Sequence, residues 1–128
     1  MILVDSGVIV DYLRTGDAKL DHLFRTRPVA VCGVVRAELL HGVRSARDRQ
    51  RTLTVLAAFQ HLPTPEAVWD SVGDNLYELR TNGVTIPFQD AVIATLAIAN
   101  DIELWSRDGH FSHVQRVLPA LRLFVEPP

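Results

Sequence analysis

The sequence predicts an α/β fold in which a parallel sheet of four to five short strands is covered by helices on both faces. Three observations lead there. The apolar runs are short and two-sided, as strands buried on both faces are. Stretches with apolar residues at helical spacing separate them, and that alternation is the mark of a parallel sheet. The most apolar helix, "DAVIATLAIA", is only 10 residues long, too short for a bilayer and suited to a core.

The elements follow in order. "ILVD" (2–5) reads as a buried strand, and Ser6 as the cap of a helix to about 14 that Gly16 ends. "DAKLDHLFRT" (17–26) has Leu20, Leu23 and Phe24 at i, i+3, i+4 and reads as an amphipathic helix. "PVAVC" (28–32) is a second strand, with Gly33 at the N-cap of a helix over 34–46. A further helix is expected over 49–60. Thr64-Pro65-Glu66 has the chemistry of a helix start, and that helix should run to Asn82-Gly83. A short strand is expected near 84–86, a helix over 88–100, a strand over 102–106, a helix over 110–118 and a last strand over 121–126. The closing "VEPP" reads as a frayed end.

The 128 residues suit one domain, and 48% hydrophobic content is enough for its own core. A net charge of −2 gives no overall basic field, so any contact with nucleic acid needs a local basic patch. The lone cysteine, Cys32, has no internal partner, which fits a reducing, cytoplasmic setting. "MILV" is too short for the apolar region of a secretory leader and no membrane span is expected.

Four acids stand in unlikely places. Asp5 ends the first strand, where it weakens the strand and is costly if buried; it either caps the next helix or does chemistry. Glu38 lies between Ala37 and Leu39 in "VVRAELLHGV". Asp90 enters the first turn of the most apolar helix. Asp108 follows the strand "ELWS". Each has an ordinary explanation: a cap, a partner for Arg36, the helix dipole, an Asp-Gly turn. In a parallel α/β sheet, however, ligands sit beyond the carboxyl ends of the strands, and four acids there would face one crevice. At ~5 Å and an effective dielectric of ~20, each like-charge pair costs about 3 kcal/mol. A hard divalent ion, Mg²⁺ or Mn²⁺, relieves that repulsion and prefers oxygen ligands. Zinc is not indicated: there is no CxxC, and His110 and His113 read as surface residues of a short helix.

"ILVDSGVIVDYL", "VVRAELLHG", "PFQDAVIATLAIAN" and "LWSRDGHF" together resemble the four acidic motifs of PIN domains, in the order and spacing of the VapC-type toxin ribonucleases. The resemblance spans nearly the whole chain, 1–128, as a single PIN domain. It implies a three-layer α/β/α fold and a metal-dependent endoribonuclease whose metal-binding acids are Asp5, Glu38, Asp90 and Asp108. Ser6 stands where a supporting Ser/Thr is common, and Phe111 at a usual aromatic position. It also implies a cognate VapB-like antitoxin, an RNA substrate, and a homodimer that joins the antitoxin in a hetero-oligomer.

Arg44, Arg47 and Arg51 fall at i, i+3, i+7 and are either a solvated face or a rim for RNA phosphates. Trp69 and Trp105 read as core residues rather than base-stacking ones. An antitoxin groove is expected between the helices at 6–14 and 34–60, with Leu13, Leu40 and Val43 as apolar contacts. A dimer surface is expected over 65–100. Two other classes share the acid cluster or the fold: a nuclease of RNA maturation or DNA processing, and a non-catalytic interaction scaffold.

Overall fold

In the computed structural model, which describes all 128 residues, five strands alternate with seven helices. The order is β1 (Ile2–Val4), α1 (Ser6–Thr15), α2 (Ala18–Thr26), β2 (Val29–Cys32), α3 (Gly33–His41), α4 (Ala46–Ala57), β3 (Gln60–Leu62), α5 (Val68–Thr81), α6 (Phe88–Ala99), β4 (Glu103–Trp105), α7 (Phe111–Val117) and β5 (Arg122–Leu123). Every strand pairing is parallel, and the sheet runs β3-β2-β1-β4-β5. The expected α/β class and the five-stranded parallel sheet are present, layered with helices as α/β/α.

β1 is central. Ile2, Leu3 and Val4 register against Glu103, Leu104 and Trp105 of β4 on one side, and Ile2 and Leu3 against Val29 and Ala30 of β2 on the other. All residues of β1 and β2 are buried, which is why their runs carry no polar alternation. The chain leaves β1 toward β2 and β3, then crosses back to β4 and β5. The strand order therefore reverses between β1 and β4, and a crevice opens at their carboxyl ends.

Underneath, Leu3, Ile9, Leu20, Ile93, Leu96, Leu104, Trp105 and Phe111 are fully buried in one core. α6 contributes an unbroken buried run from Ala91 to Ala97, so "DAVIATLAIA" is the core helix its composition suggests. Trp105 is packed as expected. Trp69 is 40% exposed, so its place is on the surface.

Several boundaries differ from the sequence expectation. No strand forms at 84–86; that segment is irregular, and only Ile86 is buried. The fifth strand is β3, whose "QHL" is largely exposed, so an edge position removed the apolar signal that marks a strand. The helices expected over 34–46 and 49–60 meet at a break: the Gly42 amide closes α3 on the Glu38 and Leu39 carbonyls, and the Ser45 hydroxyl caps α4 by accepting from the Asp48 amide, 3.0 Å. α5 starts at Val68; Pro65 and Glu66 form a turn whose carbonyls accept from Val68 and Trp69. Cys32, not Gly33, is the N-cap of α3. The tail is held as well, because Glu126 accepts from Trp105 Nε1, 3.1 Å, and from Arg107. Gly16 ends α1 as expected, in the left-handed region at φ 62, where glycine has no steric cost.

Candidate active site

The crevice between the ends of β1 and β4 is a cavity of about 530 Å³ with no hydrophobic side chain in its lining. Asp5, Glu38, Asp90 and Asp108 all line it, with Ser6, Gln89 and Arg107. Four acids separated by up to 103 residues of chain, from Asp5 to Asp108, thus face one space.

Each acid is positioned by a different element. Asp5 follows β1 and is 8% exposed. Its Oδ1 accepts from the Ser6 amide, 2.8 Å, and its Oδ2 from the Ser106 hydroxyl, 2.9 Å. It is the N-cap of α1, the place expected for Ser6. The two readings of Asp5 therefore coexist: it caps the helix and it faces the cavity. Ser106 is a further residue of the site, since its hydroxyl also accepts from the Asp108 amide at 3.0 Å. It joins the ends of β1 and β4, and nothing in the sequence distinguishes it from other loop serines.

Glu38 comes from the middle of α3. Its Oε1 is buried and has no hydrogen-bond partner. Burial raises its pKa above the usual carboxylate range, and the charges of Asp5 and Asp90 raise it further. Asp90 sits in the first turn of α6, where the helix dipole favours a carboxylate. Burial nevertheless raises its pKa, with Asp5 adding to the effect and His110 opposing it. The side chain of Asp108 is 53% exposed on the loop after β4. Its Oδ1 accepts from the His110 amide at 3.1 Å.

His110 is the other residue the sequence underrated. Its ring lies between Asp90 and Asp108, with Nε2 2.9 Å from Asp90 Oδ2 and Nδ1 2.6 Å from Asp108 Oδ1. The hint was its position, two residues after the last acid.

The one arginine in the cavity lining is already paired. Arg107 lines the cavity, yet its guanidinium donates to Glu126 at 2.8 Å and to Asp11 at 2.9 Å. Cys32 is buried, and burial pushes its thiol pKa up, which makes it an inert core residue. The charges crowd the cavity, but no three acids or histidines are drawn together as a ready metal shell.

A groove of about 700 Å³ adjoins the cavity and shares Glu38 with it. Leu13, Leu39 and Val43 give it an apolar floor, and Arg14, Arg44 and Arg51 a basic rim. Leu39 takes the place expected for Leu40, which lies outside the lining. The three-arginine stripe is also divided. Arg44 lies in the turn before α4, Arg51 is on α4, and Arg47 is exposed outside the groove. The break at Gly42–Ser45 disrupts the helical spacing on which that stripe relied.

Comparison with known proteins agrees with this architecture. The family model described as PIN domain matches residues 2–117. Ribonuclease VapC10 of Mycobacterium tuberculosis is 33% identical over 123 residues, covering 93% of this chain and 92% of that protein. Among solved structures, VapBC2 from Rickettsia felis bound to a DNA fragment from its promoter matches with a TM-score of 0.82 and 22% identity, over 97% of this chain and 98% of that one. Mycobacterium tuberculosis VapC20, a Sarcin-Ricin loop cleaving toxin, matches with a TM-score of 0.73 and 19% identity, over 99% and 100%. The matched residues run from β1 through α7 and include all four acids, so the chain belongs to the PIN domain family.

Proposed function

We propose that this protein is a metal-dependent endoribonuclease toxin, neutralised by a cognate antitoxin, in which Asp5, Glu38, Asp90 and Asp108 hold the metal. One observation carries the reading: four carboxylates face one polar cavity while the one arginine in its lining is committed to Asp11 and Glu126. The kinship with Ribonuclease VapC10 supports the nuclease activity, and the likeness to a Sarcin-Ricin loop cleaving toxin supports structured RNA as the substrate.

The residues fit a hard divalent cation. The donor set is all oxygen, which suits Mg²⁺ or Mn²⁺. The buried, unpartnered Oε1 of Glu38 is an acceptor in need of a partner. Such an ion supplies a hydroxide near neutral pH and neutralises charge building on the phosphoryl oxygens.

The chain's own groups do the rest. Asp5 is held by Ser106 and by the first amide of α1, so its carboxylate cannot swing away. Ser6 lines the cavity beside it and can donate to a phosphate oxygen. With Oε1 turned to the cation, the other carboxylate oxygen of Glu38 can accept from the attacking water and orient it. Arg44 and Arg51 border the shared groove and can hold the phosphates of single-stranded loop RNA, whose splayed bases suit recognition. Hydrolysis should leave a 5′-phosphate and a 3′-hydroxyl.

The same groove suits an antitoxin segment. Its apolar floor takes hydrophobic side chains, and Glu38 at its end can receive an arginine bidentately. Structure neighbours include complexes whose names pair such a protein with an antitoxin. The exposed Trp69 and Tyr77 on α5 and Phe88 on α6 offer a surface for a homodimer. No helix is long and apolar enough to cross a membrane, and the unpaired Cys32 suits a cytoplasmic setting.

The test is cleavage of structured RNA by purified protein with Mg²⁺ or Mn²⁺, with EDTA and with Asp5→Asn, followed by mapping of the ends. Metal-dependent cutting, lost in Asp5→Asn, with 5′-phosphate ends is expected. Cyclic 2′,3′-phosphate ends would point to histidine acid–base chemistry and overturn the scheme. Preference for flap DNA over RNA would move the protein to DNA processing, and binding without cutting to a scaffold.

A further inference from the structure

The place of His110 is fixed from two sides. Its ring packs on Phe111 with centroids 4.7 Å apart, and Phe111 is 1% exposed. On the other side are two acids from separate elements, Asp90 on α6 and Asp108 on the loop after β4. The buried Nε2 lies 2.9 Å from Asp90 Oδ2, an ion-pair distance, without a well-aligned hydrogen bond. A ring wedged between two carboxylates has that geometry.

Each acid presents one oxygen to His110: Oδ2 of Asp90 and Oδ1 of Asp108. The other oxygen of each is left without a protein partner. No other side chain forms an ion pair with both acids. Asp108 most needs such an anchor, because it is the most exposed of the four acids and lies on a loop. An unanchored carboxylate loses rotamer freedom when it binds a ligand; an anchored one has already lost it.

We propose that His110 is a positioning residue that ties Asp108 to Asp90 and so presents one free oxygen of each to a divalent cation. This rests on the reading of the cavity as a cation site. Residues that orient metal ligands from outside the shell typically contribute about 10- to 100-fold to metal affinity or activity.

The test uses the full chain as wild type, His110→Ala, His110→Asn and Asp5→Asn. Mn²⁺ binding is measured by calorimetry without RNA, and cleavage is measured against Mn²⁺ concentration. His110→Ala should bind Mn²⁺ about 10- to 100-fold more weakly. Its cleavage curve should shift to higher Mn²⁺ by the same factor, with an unchanged plateau and an unchanged KM for RNA. His110→Asn keeps a donor near the Nδ1 position and should recover part of the loss through Asp108. Thermal unfolding checks folding, and if the alanine variant does not fold, the asparagine variant decides by a smaller shift in the same direction. Wild-type or tighter Mn²⁺ affinity in the folded variant overturns the proposal and leaves the cation site standing. If the wild type binds Mn²⁺ no better than Asp5→Asn, the cation site falls and the proposal with it.

Discussion

Two groups of acids, one inside the cavity and one gathered around Arg107 at its edge, have opposite surroundings. Asp11 and Glu126 share Arg107, which contacts them at 2.9 and 2.8 Å. The hydrogen bond from Arg107 holds the Glu126 carboxyl below its usual range, aided by Trp105. Glu38 and Asp90 lie deeper and touch no arginine or lysine; burial and neighbouring charge raise both. Local sequence does not explain the difference, since Arg107 is adjacent to Asp108 in the chain. The fold gives the available arginine to the rim and leaves the deeper acids to one another. Acids with raised pKa values in a polar cleft, without a structural ion pair to an arginine or lysine, mark a candidate functional site.

The contrast can be tested by removing one side of it at a time. The largest effect is expected from Asp5→Asn. It should lower RNA cleavage at least about a hundredfold, which corresponds to about 2.7 kcal/mol of transition-state stabilisation, while the thermal midpoint does not fall. Equal cutting by wild type and variant would end the assignment. Next, Mn²⁺ at a hundred times its Kd should stabilise the fold by about 2.7 kcal/mol, seen as a raised unfolding midpoint that is absent in Asp5→Asn.

On the rim, Arg107→Ala should destabilise by about 1 kcal/mol, because its pairs are partly exposed and screened. Denaturant unfolding measures this, and the loss should shrink in high salt.

Glu126 on one side and Glu38 and Asp90 on the other should also respond oppositely to pH. Glu126 has a lowered folded pKa, so its contribution is present above the unfolded carboxylate pKa and is lost as pH falls through the folded one. Glu38 and Asp90 have raised folded pKa values. Between the unfolded and folded values the native state holds more protons, so their contribution to stability declines as pH rises. Metal-free Glu38→Gln should therefore lose less stability than wild type as pH is raised from below the carboxylate range toward neutrality. An identical decline in both proteins would show that Glu38 is not under this pressure.

The smallest effect separates the arginines. Arg51→Ala should reduce the slope of log affinity against log salt for single-stranded RNA by about 0.7, the share of one phosphate contact. Arg47→Ala, outside the groove, should leave it unchanged.

The four acids were legible because they stand in motifs whose order fixes their family: Asp5 after β1, Glu38 within α3, Asp90 in the first turn of α6 and Asp108 on the loop after β4. β3 was not legible, since "QHL" lies at a sheet edge and lacks the apolar pattern that marks a strand. The break between α3 and α4 was marked by Ser45 and Asp48, a capping pair three residues apart, but the flanking helical patterns obscured it. Ser106 looks like an ordinary loop residue, and His110 like a surface residue of a short helix. What distinguishes them is contact with Asp5, Asp90 and Asp108, two of which are distant in sequence.

The amino-acid order by itself determined the alternation of strands and helices, the burial of β1, β2 and α6, and the presence of four carboxylates in ordered motifs. These depend on hydrophobic periodicity and local capping, which act over a few residues. Only the tertiary structure decided that Arg107 turns to Asp11 and Glu126, that Ser106 secures Asp5, and that His110 stands between Asp90 and Asp108. Ion pairs and hydrogen bonds form by distance in space, and folding brings together groups that the chain separates.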